Sequence, residues 1–183
     1  MFRRQLGPGL EIKLYEPADA EAVFAAVEQD RAYLGEWLPW VERTRSAADV
    51  LQFISTVVTP QWRDNTSPNC GIWMNGNLAG SVGCHPIDRQ NHSCSLGYWI
   101  ASRHQGRGIV TRAVVAMLDY LFGELKLHRV VIQCGTGNHR SCTIPKRLGF
   151  TREGVAREAE CVGGRWIDLI VWSILHSEWN CST

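Results

Sequence analysis

Residues 103–108 read Arg-His-Gln-Gly-Arg-Gly. They follow a hydrophobic, aromatic run at 94–100 that predicts a strand, and they precede residues 109–122, whose apolar side chains recur at helical spacing. The first N–H groups of a helix have no intrahelical partner and carry partial positive charge. Gly106 and Gly108 lack a Cβ, so backbone amides there can approach a pyrophosphate closely. Together the strand, the turn and the helix predict a phosphate-binding site.

The composition indicates one globular domain. The chain has 183 residues, of which 45% are hydrophobic and 20% charged, with a net charge of +1. It can therefore bury one substantial core, and it has no overall charge that would attract nucleic acid or an acidic membrane surface. No apolar run reaches the ~18–20 residues that span a bilayer, and the first residues lack the apolar segment of a secretory signal. The seven cysteines form no Cys-x-x-Cys pair, which favours free thiols over a disulfide framework or zinc site. We expect a cytoplasmic protein that binds no metal, no nucleic acid and no membrane.

Hydrophobic periodicity and turn residues predict elements in the order β-α-α-β-β-β-α-β-α-β-β. The predicted strands are 10–14, 70–74, 78–85, 93–101, 129–134, 151–161 and 166–175. The predicted helices are 18–29, 47–62, 109–122 and 141–148. Because the chain shows no repeat and no linker, we expect a single domain spanning 1–183. Its predicted class is α/β (α+β), with a mixed, mostly antiparallel twisted sheet flanked by helices.

Two separate motifs resemble those of the GNAT superfamily of N-acetyltransferases. Arg103-x-x-Gly106-x-Gly108 is similar to the family's pyrophosphate signature, Gln/Arg-x-x-Gly-x-Gly/Ala, which follows the fourth strand. The segment from Asn138 to Ser141, continuing to Leu148-Gly149-Phe150, is similar to the family's Asn-x-x-Ser…Gly-Phe block after the fifth strand. Looser motifs resemble the ribosomal-protein-serine/alanine N-acetyltransferase (RimL/RimJ-like) branch. They are Trp37-Leu38-Pro39-Trp40, Leu96-Gly97-Tyr98-Trp99-Ile100, Glu153-Gly154-Val155 and Ala159-Glu160.

The resemblance implies an enzyme that transfers the acetyl group of acetyl-CoA to a primary amine. The amine would attack the thioester directly and form a tetrahedral intermediate, and the expected acceptor is a protein N-terminal α-amine of the ribosomal-protein type. Two alternatives stay open: acetylation of a small amine such as an aminoacyl-nucleotide toxin or antibiotic, and a catalytically silent CoA-binding sensor. The residues that the resemblance assigns to acetyl-CoA binding are Arg103, Gln105, Gly106, Arg107, Gly108, Ile109, Asn138 and Ser141.

Ser141 and Glu160 are the candidate catalytic residues. Many family members place a tyrosine acid four residues before the Gly of Gly-Phe, but this chain has Pro145 there, which can donate nothing. In the serine-acetyltransferase branch a serine near the sulfur takes over, and Ser141 stands at that position; the alternative is that Ser141 only caps its helix. Glu160 matches the glutamate of the branch's Ala-Glu pair. A carboxylate acting through a water could deprotonate an α-amine of pKa ~8, although a solvated strand carboxylate is the alternative.

Trp37, Trp40 and Tyr98 are the predicted substrate-binding residues. Tryptophans in the cluster 33–41 can form one wall of a substrate pocket, or they can seat the first two helices as a hydrophobic plug. An open, charge-lined cleft would favour a peptide acceptor, whereas an aromatic sandwich of Trp37 and Trp40 would favour a nucleobase. A homodimer would fit if Trp172 or Trp179 formed a shared apolar surface, but the eight tryptophans can equally fill the core.

Overall fold

The computed structural model describes residues 2–179. The strands are β1 (Arg3–Gly7), β2 (Leu10–Leu14), β3 (Asn69–Met74), β4 (Asn77–Cys84), β5 (Ser93–Ile100), β6 (Arg129–Gly135), β7 (Thr151–Val162) and β8 (Arg165–Leu175). The α-helices are α1 (Ala20–Gln29), α2 (Arg31–Gly35), α3 (Ala47–Phe53), α4 (Thr59–Arg63), α5 (Ile109–Gly123), α6 (His139–Arg147) and α7 (His176–Trp179). Short 3₁₀ turns cover Pro17–Asp19, Pro39–Glu42 and Ser102–His104.

Within residues 2–179, the eight strands form one sheet in the order β1-β2-β3-β4-β5-β6-β8-β7. Every neighbouring pair is antiparallel except β5 and β6. A parallel pair needs a crossover connection, and α5 supplies it. The predicted class, a mixed and mostly antiparallel sheet flanked by helices, is confirmed.

Four elements differ from the sequence prediction: β1, α2 and α7 were not predicted, and the predicted helix 47–62 is not continuous. Strand β1 was not predicted, because it is an edge strand whose first three residues are exposed, so it carries no alternating apolar pattern. The predicted helix 47–62 is interrupted by a π-helical turn, Ile54–Val58, in which the Thr59 amide bonds to the Ile54 carbonyl five residues earlier. Pro60 follows immediately and has no N–H to continue the regular α-helical pattern, which is where such irregular turns arise.

The core lies between the sheet and its helices. Helix α5 contacts β1, β2, β4 and β5, and α6 contacts β6, β7 and β8. The side chains of Met117, Leu118 and Leu121 on α5 are fully buried. Trp172 and Trp179 are also buried, and the Trp179 indole donates to Asp119 at 2.9 Å. These two tryptophans therefore fill the core of this chain and offer no shared apolar surface.

The parallel contact between β5 and β6 is short. Only Ser93–Ser95 pairs with Arg129–Val131, although β5 runs on to Ile100 and β6 to Gly135. The two strands therefore separate toward their C-terminal ends, and their facing backbone groups there are not used in the sheet. None of the helices in residues 2–179 is long and apolar enough to cross a membrane.

Glu153 on β7 provides a pH-dependent test of the sheet. Arg129 donates to its two oxygens at 2.6 and 2.5 Å, and Ser173 adds a bond of 2.8 Å. These hydrogen bonds lower the pKa of Glu153 to about 2. Because the folded-state pKa is depressed, the stabilisation is present above the ordinary carboxyl pKa of 4.5 and is lost as pH falls toward about 2.

We expect Glu153→Gln to lower the free energy of unfolding by up to about 1 kcal/mol near neutral pH, since the pair is partly exposed. The difference from wild type should shrink as pH falls from the ordinary carboxyl range toward about 2. Urea denaturation at a series of pH values measures it. Glu158→Gln, an exposed position on the same strand, is the control. A difference that stays constant with pH would contradict the interpretation.

Candidate active site

A groove with a volume of about 600 Å³ opens beside the separated ends of β5 and β6. Its walls come from the segment containing α2, the end of β5, the turn into α5, and α6. The lining includes Tyr33, Leu34, Trp37, Leu38, Tyr98, Trp99, Ile100, Ser102, His104 through Thr111, Asn138, Arg140, Ser141, Thr143, Ile144 and Arg147. Nine predicted site residues therefore meet in one groove: Gln105, Gly106, Arg107, Gly108, Ile109, Asn138, Ser141, Trp37 and Tyr98. Arg103, Trp40 and Glu160 lie outside its lining.

The glycine turn has the geometry of an anion site. Gly106 and Gly108 have φ of 73° and 68°, in the left-handed region that glycine adopts without strain. Gly108 is the N-cap of α5 and has no side chain to satisfy the amides of the first turn. These amides face a groove that also receives the basic side chains of Arg107, Arg140 and Arg147. Free amides, the helix dipole and the three guanidinium groups all favour a negatively charged ligand.

Two side-chain donors beside this turn have no hydrogen-bond partner among the residues that the structure describes. Within residues 2–179, His104 Nδ1 and Gln105 Nε2 are buried without a hydrogen bond. Burial, with Arg103 and Arg107 nearby, lowers the pKa of His104 below its usual value. Arg140 on α6 donates to Oε1 of Gln105, so the amide nitrogen of Gln105 is directed elsewhere. Buried orphan donors require a partner, and a ligand with phosphate oxygens fits them.

Asp30, which directly follows α1, accepts hydrogen bonds from the start of the turn. The Ser102 amide and hydroxyl donate to the two oxygens of Asp30 at 2.6 and 2.8 Å. The Arg103 guanidinium donates to Gln29 and, at 3.1 Å, to His104. Arg103 is thus directed toward the end of α1, and it anchors the turn. No sequence pattern points to Asp30, because its partner Ser102 lies 72 residues away.

Ser141 is not the cap of its helix. Helix α6 begins at His139, two residues before the predicted start, and Asn138 is its N-cap, accepting from the Ser141 amide at 3.1 Å. The Ser141 hydroxyl lies 3.3 Å from the Tyr98 hydroxyl and 3.3 Å from Cys134 Sγ. Tyr98 in turn donates to the Ser141 carbonyl at 3.0 Å. The predicted alternative, a capping role for the Ser141 side chain, is therefore wrong.

Glu160 lies in an irregular part of β7. From Ala156 to Glu160 that strand advances four residues while β8 advances two, from Leu169 to Ile167. Within this bulge Glu158 has φ of 48°, and its amide donates to Asp168 at 2.8 Å. Burial raises the pKa of the half-buried Glu160 carboxyl, and His85 acts in the opposite direction. A raised carboxyl pKa improves a group for accepting a proton near neutral pH.

The two predicted tryptophans have different partners. A Cβ added to Gly135 or Gly137 would lie 3.1 or 3.3 Å from the ring of Trp37, so this indole packs on the backbone at the end of β6. The ring of Trp40 lies 6.2 Å from that of Trp99, at an interplanar angle of 53°. Trp37 and Trp40 therefore form no parallel sandwich with each other in this structure.

Comparison with known proteins agrees with this geometry. A family profile described as the acetyltransferase (GNAT) domain matches residues 10–151. The chain belongs to the GNAT acetyltransferase family. It is 36% identical over 98% of both chains to the putative ribosomal N-acetyltransferase YdaF of Bacillus subtilis. It is 23% identical to the ribosomal-protein-serine acetyltransferase of Escherichia coli, over 92% of this chain and 94% of the relative.

Among solved structures, the chain is similar to the microcin self-immunity acetyltransferase MccE in complex with acetyl-CoA and AMP. The TM-score is 0.86 and the identity 26%, over 93% of this chain and 94% of that one. The protein is thus an acetyl-CoA-dependent N-acetyltransferase of the RimL-like kind, as its sequence motifs predict. The orphan donors, the glycine turn and the basic side chains fit its co-substrate. Within residues 2–179, no cluster of three or more His, Cys, Asp or Glu residues could hold a metal ion.

Gly108→Ala should weaken coenzyme A binding. An alanine at this left-handed φ costs about 1–2 kcal/mol, and relieving that strain would turn the amides of the turn away from the ligand. We expect the Kd for coenzyme A, measured by calorimetry, to rise about tenfold, which corresponds to ~1.4 kcal/mol. Gly76→Ala is the matched control, because Gly76 has φ of 79° in the β3–β4 turn, outside the groove. Equal Kd values for the two variants would exclude a specific role for Gly108.

Proposed function

We propose that the enzyme acetylates the N-terminal α-amine of a protein. The observation that carries the proposal is a second groove, about 560 Å³, on the other side of the α2 segment. It shares Leu38 with the first groove and is lined by charged side chains of both signs, Glu28, Arg31, Glu42 and Arg45. A charge-lined groove suits an extended peptide better than a flat aromatic ring. The similarity to a putative ribosomal N-acetyltransferase over 98% of the chain supports the same acceptor class.

In this proposal the chain's own residues have three tasks. The glycine turn from Gln105 to Ile109, with Asn138 beside it, binds the acetyl-CoA that supplies the thioester. Glu160, whose pKa is raised by burial, accepts the proton of the attacking amine, directly or through a water. The Ser141 hydroxyl donates a hydrogen bond to the departing thiolate, since Pro145 has no donor to offer. Trp37 and Tyr98 form the walls that hold the acceptor near the thioester.

Glu160→Gln tests the general base. We expect kcat/KM to fall about 10²-fold, because general-base catalysis contributes that order. In the wild type, log kcat/KM should steepen as pH falls through the raised pKa of Glu160, on top of the slope caused by the α-amine. Glu160→Gln should keep only the α-amine slope. Glu158→Gln is the control on the same strand, and equal losses in both variants would count against Glu160 as the base.

The acceptor class is tested by acetyl transfer to peptides beginning with Ser, Ala or Thr, to polyamines and to aminoacyl-nucleotide analogues, with mass spectrometry as the readout. We expect the highest kcat/KM with the peptides, and none with a peptide whose α-amine is blocked. Higher turnover of the aminoacyl nucleotides would reject the peptide acceptor. Absence of turnover on every amine would point to the CoA-binding sensor.

One observation favours a small aminoacyl nucleotide as the second candidate. The similar structure MccE is a complex with acetyl-CoA and AMP, and here Trp99 and Trp40 place two aromatic rings beside the first groove. For this function AMP should inhibit competitively against the amine acceptor. For a protein acceptor, AMP should compete only weakly, through the acetyl-CoA site.

A further inference from the structure

Pro145 lies inside α6, where a proline has a specific consequence. In an α-helix each amide donates to the carbonyl four residues earlier, and proline has no N–H to donate. The carbonyl four residues before Pro145 belongs to Ser141. The proline thus removes the helical donor to the carbonyl of Ser141, a residue whose side chain the proposed function assigns to catalysis.

The Tyr98 phenol bonds to that carbonyl. Its hydroxyl donates to the Ser141 carbonyl oxygen at 3.0 Å. With its single hydrogen used in this way, the phenol oxygen can accept, and the Ser141 hydroxyl lies 3.3 Å from it. Burial raises the pKa of Tyr98 well above its usual value, so the phenol stays protonated. Two hydrogen bonds therefore join the same two residues, one through the backbone and one through the side chain of Ser141.

Tyr98 reaches across the gap between the strands to make these bonds. It lies on β5 beyond the last residue paired with β6, and its hydroxyl is 3.9 Å from Cys134 Sγ on β6. The Cys134 thiol lies 3.3 Å from the Ser141 hydroxyl on the other side. Burial raises the pKa of Cys134 to about 11, which keeps the thiol neutral. The Ser141 hydroxyl thus lies between a phenol oxygen and a thiol sulfur, and either can accept its single hydrogen.

We propose that Tyr98 is a positioning residue that holds Ser141 by its carbonyl, so that the Ser141 hydroxyl can turn its hydrogen from the phenol oxygen to the departing thiolate, and that Pro145 allows this by leaving the Ser141 carbonyl open to the phenol. The proposal rests on the proposed function, in which Ser141 stabilises the departing thiolate. The tyrosine acid that many family members carry is replaced here by Pro145. In this chain Ser141 on α6 donates to the departing thiolate, and Tyr98 on β5 positions Ser141.

A double-mutant cycle between Tyr98→Phe and Ser141→Ala tests the coupling. If Tyr98 acts through Ser141, Tyr98→Phe lowers kcat about tenfold in the wild type and less than about twofold in Ser141→Ala, because residues in one hydrogen-bond network are not additive. KM for acetyl-CoA should change less than kcat. Tyr120→Phe, which removes a tyrosine hydroxyl outside the groove, is the matched control and should leave kcat unchanged.

The possible outcomes separate this inference from the proposed function. Equal losses from Tyr98→Phe in both backgrounds would overturn the positioning role and leave Ser141 as the hydrogen-bond donor. If Ser141→Ala alone leaves kcat unchanged, the catalytic assignment of Ser141 is wrong, and the positioning role of Tyr98 fails with it. A higher KM with an unchanged kcat in Tyr98→Phe would make Tyr98 a binding residue only.

Pro145→Ala tests the second half of the proposal. The new amide competes with Tyr98 for the Ser141 carbonyl, while the helix gains a hydrogen bond and loses a steric clash. We expect a higher Tm together with a kcat lowered toward that of Tyr98→Phe, a combination that a simple structural defect would not give. Adding Tyr98→Phe to this variant should then lower kcat little further. Lys146→Ala, an exposed neighbour on α6, is the control. An unchanged kcat in Pro145→Ala would overturn the role of the proline.

Discussion

The first groove depends on the short pairing between strands β5 and β6. Strands β5 and β6 share only three residue pairs before they separate, and that separation places the first groove and the two helices that line it. The groove lies beside the gap, α5 begins at the end of β5, and α6 begins at the end of β6. If the pairing continued to Gly135, the backbone groups of both strands would be consumed by the sheet. A regular sheet would then leave no room for a ligand between them.

Much of the fold follows from local patterns. The strand before the glycine turn, the amphipathic α5 and the Asn-Gly hairpin between β3 and β4 are all visible in the sequence, since burial on one face imposes a period. The edge strand β1 buries little and therefore carries no such period. The π-helical turn before Pro60 changes the hydrogen bonding of the backbone without changing the spacing of the apolar residues, so the pattern 47–62 could predict only a continuous helix.

The candidate site was predictable where a motif is contiguous and hidden where contacts are long-range. The glycine turn of residues 103–108 and the Asn138 block could be read directly, because each is one local structure. The Asp30 contact with Ser102 and the Tyr98 contact with Ser141 join residues 72 and 43 positions apart. No spacing rule connects such pairs. A proline four residues after Ser141 was the one local sign that the Ser141 carbonyl would need another donor.

Contacts on both sides of the α2 segment couple the first groove to the second groove. Asp30, between α1 and α2, accepts hydrogen bonds from the start of the glycine turn, while Trp37 packs on Gly135 and Gly137, just before α6. The segment that separates the two grooves is thus anchored at one end to the glycine turn and at the other to the backbone between β6 and α6. A shift of this segment would displace both anchors, since packed interiors transmit strain. The shape of the second groove is therefore coupled to contacts that also hold the glycine turn, and the glycine motif alone cannot define it.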